Sequence, residues 1–217
     1  MEWAMQKFWL GVVALLAVVV LGFTYQLLQQ QQQLQTAYRL PEPRVVKAFQ
    51  LMDAENKPVD VQQLYHQWTF VFVGYTSCPD ICPMTMAMLS GAYPELQKLA
   101  GKQPVQIWFV SVDPKRDTQT QLHSYMEYFA NPAIRAMTAS HDQLYPFVRD
   151  IDLMYAIAND TSDDYRVDHS ASIALIDAQG RLIASFKPDK AAAGMPPLVS
   201  REKLVADFAV LMQQVTQ

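Results

Sequence analysis

The chain has 217 residues, 51% of them hydrophobic and 18% charged, so it can bury a sizeable core and is not a disordered polymer. A formal net charge of −4, without a cluster of Lys and Arg, argues against nucleic acid as a partner. Two cysteines cannot build a disulfide scaffold, so the core must hold the fold.

The first element is the run from Phe8 to Leu28, FWLGVVALLAVVVLGFTYQLL, without a charge. At about 1.5 Å per residue it extends roughly 31 Å, the depth of a bilayer's hydrocarbon layer. Trp9 and Tyr25 sit near its ends, where aromatic residues favour the interface. A cleaved signal would have a shorter apolar region, about 7–15 residues, ending in an A-x-A-like site. The expectation is therefore an uncleaved N-terminal transmembrane helix within residues 1–28. The start lacks the Arg- and Ser-rich pattern of a mitochondrial leader, which points to a bacterial source. Lys7 before the run, against Arg39 and Arg44 after it, leaves the orientation nearly unspecified.

Gln29 to Gln35 is a biased, solvated tract, and Pro41 and Pro43 extend it into a linker over 29–44. Residues 45–217 read as one domain. Phe49–Asp53 and Pro58–Val61 predict a hairpin around AENK. WTFVFVGY (Trp68–Tyr75) and VQIWFVSVD (Val105–Asp113) are continuous apolar runs of strand length, as expected of strands covered on both faces. A helix is predicted through MTMAMLSGAYPELQKLA, and Asp117 and Thr118 predict the cap of a second through DTQTQLHSYMEYFA. SHDQ at 140–143 predicts a capping box for a third helix through Val148. SIALID, AQG and RLIASF predict a hairpin turning near Gly180, and Ser200 caps a terminal amphipathic helix. Strands alternating with helices indicate an α/β layer fold with a mixed sheet.

The loop TSCPDICP, directly after the first apolar strand, carries both cysteines, Cys78 and Cys82. Placed at the start of the following helix, residues four apart share a face, with Cβ atoms about 5–6 Å apart. The positive helix terminus favours thiolate, the form that attacks electrophiles and binds metals. A structural disulfide across this spacing would be strained; a redox pair and a metal clamp both remain open. Two buried core thiols would also be an ordinary outcome, but the loop is polar, proline-rich and at the carboxyl end of a strand, where α/β folds place sites. Among four histidines, His66, His123 and His141 lie in polar or helical surface settings. His169 differs, standing immediately before the apolar strand of VDHSASIALID, and is the candidate third ligand. Spacing alone does not settle its role.

GYTSCPDICPMTM, VSVDPKRDT and VDHSASIALIDAQGRL, in that order, resemble the Sco/SenC family of membrane-anchored copper proteins that assist cytochrome c oxidase assembly. The similarity runs from about Phe49 to Met212. It implies a thioredoxin-like fold and one copper ion, Cu(I) or Cu(II), bound by Cys78, Cys82 and His169. It implies as partners the copper-bearing subunit of cytochrome c oxidase and another copper chaperone as donor. The implied place is a bacterial inner membrane, with the soluble domain on its outer face. Both a metallochaperone role and a thiol–disulfide oxidoreductase role, with Cys78 and Cys82 as the redox pair, fit the family. Asn56 stands at a common turn-glycine position, and MTAS at 137–140 puts Ala139 where the family favours glycine. Soft thiolates with an imidazole suit both copper states, whereas a structural zinc site normally has four ligands. Asp113 and Asp117 fit two roles equally well, supporting the site or contacting a partner on one hand, and a strand-end turn and helix cap on the other; Tyr75 and Asp80 read as loop-shaping residues, and Met84, Met86 and Met88 as core.

Overall fold

The computed structural model describes residues 2–30, 33–157, 165–190, 194 and 196–215, in two compact units, 1–34 and 35–217. The first unit is built on one helix, α1 (Glu2–Gln30). Large apolar side chains stand exposed on it, among them Trp9, Leu16, Val20 and Phe23. Among the described residues no helix is long and apolar enough to cross a membrane. Part of the expected anchor Phe8–Leu28, Tyr25 included, lies outside the residues whose side chains are described.

The second unit is a mixed sheet in the order β1-β10-β9-β4-β5-β6-β2-β3, with a separate two-stranded sheet β7-β8. It opens with β1 (Ala37–Val45), antiparallel to β10 (Arg181–Phe186). Residues 37–44, expected as linker, are therefore an edge strand. Its pairing register shifts between Arg39 and Arg44, around the two prolines that cannot donate to a ladder. The buried Asp207 carboxylate ties this entry down, accepting the N–H groups of Gln35, Thr36 and Ala37 at 2.7 Å each. β2 (Gln50–Asp53) and β3 (Pro58–Asp60) form the expected hairpin. Asn56 takes the left-handed turn conformation there (φ 60°), which Asn tolerates better than most residues with a Cβ.

β4 (Trp68–Gly74) and β5 (Val105–Ser111) run parallel at the centre, and every residue of both is buried. Their alternating side chains explain why. Trp68 and Phe70 meet Phe208 of α5 (Arg201–Val215) at 5.5 and 5.2 Å on one face. On the other, Trp108 meets Phe49, which packs 4.5 Å from Phe147 of α4 (His141–Asp150). Each such fully buried side chain contributes about 1.5–3 kcal/mol, so this aromatic double layer dominates the core.

α2 (Ile81–Ala100) begins three residues before the expected Met84, because Pro83 falls in the first turn, where its missing N–H has no helical partner to lose. α3 (Gln119–Glu127) is capped by Thr118 alone, since Asp117 turns inward. At α4 the Ser140 side chain makes no cap bond, so the expected capping box does not form; its carbonyl accepts from Gln143 and Leu144 instead. β6 (Ile134–Thr138), parallel to β5, was not expected: its five residues are too short and mixed to show a period. β9 (Ile173–Ile176) and β10 form the late hairpin, turning at Gly180 (φ 71°). β7 (Tyr155–Ile157) and β8 (Val167–His169) pair antiparallel, and 158–164 between them lie outside the described residues. Of the three methionines expected in the core, Met86 is fully buried and Met84 is exposed.

Candidate metal centre

β4 runs out at Gly74, and the chain turns through a short loop before α2 starts at Ile81. Only Cys82 lies on the helix, in its first turn. Cys78, expected there too, sits upstream in the loop, its N–H donating to the Tyr75 carbonyl at 3.2 Å. The cysteines therefore converge through a folded-back loop rather than a shared helical face. β8 delivers His169 from the other side. The two sulfurs and an imidazole nitrogen lie within 4.8 Å of one another, with Cys82 Sγ 3.4 Å from His169 Nε2. His169 Nδ1 is 3.1 Å from the Ser170 carbonyl, where only an N–H can bond. That contact assigns the proton to Nδ1 and leaves the Nε2 lone pair facing the sulfurs.

Cys82 has no exposed surface, while Cys78 is 8% exposed at the floor of a cavity of about 290 Å³. Tyr75, Asp80, Arg166, Asp168 and His169 surround that mouth. Gly74 makes the burial of Cys82 possible: a Cβ there would lie 2.6 Å from Cys82 Sγ and 3.0 Å from Phe109 Cε2. The sulfur packs directly on the strand backbone. The sequence signal for this role is a glycine closing a buried strand before a polar loop, which marks a close approach.

The two thiols differ. A bond from Cys82, helped by the backbone at Cys82 and Asp80, holds the Cys78 thiol down to about 4 against the opposing effect of burial. Burial first, then its partner Cys78, pushes the Cys82 thiol far up. Reduced and metal-free, the pair is thus a Cys78 thiolate accepting from a Cys82 thiol, sharing one proton. Both cysteines are free.

Two carboxylates whose roles the sequence leaves open, Asp113 and Asp117, brace the site. Asp117, 1% exposed, accepts the Thr76 N–H at 2.9 Å and the Thr76 hydroxyl at 2.6 Å, and also the Ser111 hydroxyl. Burial raises its pKa while those bonds oppose the rise. It fastens the cysteine loop to the end of β5. Asp113, with no exposed surface, accepts the Tyr165 hydroxyl on Oδ1 and Arg116 Nε on Oδ2. The signal for both was their place at the carboxyl end of a buried central strand, beside the cysteine loop. Arg116 Nη2 is buried without a hydrogen-bond partner among the described residues, a cost of about 1–3 kcal/mol.

The remaining histidines lie elsewhere. His66 is exposed, and His123 is exposed beside Glu55 and Glu127. His141, expected as solvated, is half-buried instead, its Nδ1 2.9 Å from the Tyr155 hydroxyl. Tyr75 is buried with its ring edge-on to His169 at 6.0 Å, and Asp80 caps α2 without a side-chain bond. Two sulfurs and one imidazole suit copper; a closed zinc site would want a fourth protein ligand, and the described residues offer three.

Comparison with known proteins identifies the family. The SCO1/SenC family model matches residues 37–200. A Stutzerimonas stutzeri protein is 30% identical over 168 residues, which make up 76% of this chain and 81% of that one. The mitochondrial SCO1 homolog 1 of Arabidopsis thaliana is 33% identical over 138 residues, 64% of this chain and only 41% of the relative's length. Arabidopsis thaliana ScoI with copper bound superposes with a TM-score of 0.66 at 26% identity, over 79% of this chain and 99% of the other. The apo Sco1 protein of Thermus thermophilus gives 0.65 at 30% identity, over 81% and 95%. The mixed sheet is thus the thioredoxin-like fold of these proteins, and the chain belongs to the SCO1/SenC family.

Proposed function

We propose that this chain is a membrane-anchored metallochaperone. It takes up one copper ion between Cys78, Cys82 and His169 and passes it to the copper-bearing subunit of cytochrome c oxidase. The observation that carries this reading is the convergence of two sulfurs and an imidazole nitrogen within 4.8 Å of one another, with Cys78 and His169 lining an open mouth. A resident structural metal would be enclosed, whereas a cargo ion needs one accessible side. Cu(I) accepts two thiolates, and the His169 imidazole adds the nitrogen that Cu(II) favours. Because Cys82 starts as a thiol, loading releases a proton and weakens at low pH.

The anchor, the linker after it and the location belong to the same proposal. The Phe8–Leu28 run carries no charge, lies within a 29-residue helix and exposes large apolar side chains that water would not favour. In this reading residues 1–28 anchor the protein in a bacterial inner membrane, and 45–217 form the copper domain on its outer face. Another copper chaperone supplies the metal.

A second reading has its own support. Cys78 is the accessible thiolate and Cys82 the buried thiol behind it, an arrangement suited to attack and resolution in thiol–disulfide exchange. The protein would then reduce the oxidase's copper-site cysteines. His169→Ala separates the two. Exchange needs only the sulfurs, so the variant should keep a reversible Cys78–Cys82 couple and bind some Cu(I), but lose most Cu(II) affinity. In a copper-limited strain we expect it to fail in oxidase assembly. Full oxidase activity in that strain would reverse the ranking.

A further inference from the structure

His169 stands on a strand that has no hydrogen-bonded place in the main sheet: β8 pairs only with β7, in a two-stranded sheet of its own. Something must fix that strand against the cysteine loop. We propose that Tyr165, Asp113 and Arg116 form a latch that positions His169, an inference that rests on the copper reading of the site. Tyr165 is buried two residues before β8 begins and donates its hydroxyl to Asp113 Oδ1. Asp113 follows the last residue of β5 by two positions, has no exposed surface, and so belongs to the immobile centre of the domain. Its Oδ2 accepts Arg116 Nε. The Arg116 guanidinium lies over the Tyr165 ring at 3.8 Å from the centroid, closing the triangle, and 5.4 Å from the Tyr75 ring. Tyr75, in turn, presents its edge to the His169 imidazole, as does Phe72 at 5.7 Å.

The chain of contacts therefore runs from the end of β5, through one carboxylate and one guanidinium, to Tyr75 against the imidazole and to Tyr165 just before the strand that carries it. It brings together the DPKR stretch after β5, the tyrosine of the cysteine loop and the entry to β8. Arg116 keeps one buried arm without a hydrogen-bond partner among the described residues in doing so. The latch acts through His169 and not on copper itself, so these are positioning residues.

Tyr165→Phe tests this with the ring retained and the hydroxyl removed, in the full-length chain purified in detergent. In the metal-free protein, amide exchange at 167–170 should quicken about tenfold, with exchange in β4 and β5 unchanged. On copper titration the Cu(II) dissociation constant should rise about tenfold, the low end of what supporting residues around metal ligands cost. The thiolate-to-Cu(II) absorption and the nitrogen couplings in the electron paramagnetic spectrum should change, while Cu(I) affinity stays within about threefold, because two sulfurs suffice for it. In a His169→Ala background Tyr165→Phe should have no further effect on Cu(II). Wild-type Cu(II) affinity in Tyr165→Phe, or an equal loss with and without His169, would overturn the latch. A wild-type chain that binds no copper would instead overturn the copper reading. The exchange data then decide alone: quickening confined to 167–170 supports the latch and unchanged exchange refutes it.

Discussion

The two arms of the site are held in different ways. Cys82 lies in the first turn of a 20-residue helix whose inner face, with Met86, Leu89 and Leu96, has no exposed surface. Its sulfur rests on the backbone of a strand buried along its whole length. His169 lies on a three-residue strand outside the main sheet, positioned by side-chain contacts and one β pairing. The sulfur arm is set by the collective packing of the core, and the imidazole arm by a few polar contacts. Damage to the first should therefore cost metal and stability together. Damage to the second should cost one oxidation state of the metal and little else.

The largest effect is expected on the sulfur arm. Cys82→Ser replaces the buried sulfur of the proposed copper site by a hard, weakly acidic hydroxyl. Copper affinity should fall by more than about 100-fold, beyond the range that supporting residues produce. Metal analysis after gel filtration should then find almost no copper on the variant. An unchanged copper-to-protein ratio would place the site elsewhere.

Gly74→Ala probes the same arm more gently. The new methyl group meets Cys82 Sγ and the Phe109 ring, neither of which can retreat within a packed core. Overpacking of this kind costs about 1–3 kcal/mol, measurable as a lower denaturant midpoint. Because the sulfur must shift, Cu(I) and Cu(II) should weaken together, each by about tenfold for a loss of 1.4 kcal/mol. A selective loss of Cu(II) here would contradict the division between the arms.

This division also explains which parts could be read from the sequence. The cysteine arm is local: a continuous apolar strand, a polar loop and a helix lie in consecutive residues, so periodicity and turn chemistry expose it. The resemblance supplied His169, 87 residues away, where spacing alone left its role open. Asp113 and Asp117 stayed undecided between supporting the site and their local roles, turn and cap, which are plausible in isolation. Only the parallel pairing of β4 with β5 brings them beneath the cysteine loop. β1 escaped because Pro41 and Pro43 signal a linker, and an edge strand is the one sheet position that tolerates them. β6 and the inward turn of His141 are tertiary outcomes of the same kind, with no period to announce them.

The smallest expected effect concerns protons, and it sharpens the comparison within the sulfur arm itself. Iodoacetamide attacks thiolates, so its rate follows the thiolate fraction of each cysteine. An ordinary thiol near 8.5 gains about tenfold in rate per pH unit below that value. Cys78, held down to about 4, is already a thiolate at pH 5, and its alkylation in the reduced, metal-free protein should stay nearly flat from pH 5 to 8. The sign follows from the cause: bonds to the thiolate favour the charged form, so its pKa falls and the plateau extends to lower pH. Cys82, pushed upward by burial and without exposed surface, should remain unlabelled throughout. Peptide mass mapping across the pH series reads both points. A tenfold rise per unit between pH 5 and 7, or labelling of Cys82 before Cys78, would mean that the two sulfurs do not divide their roles in this way.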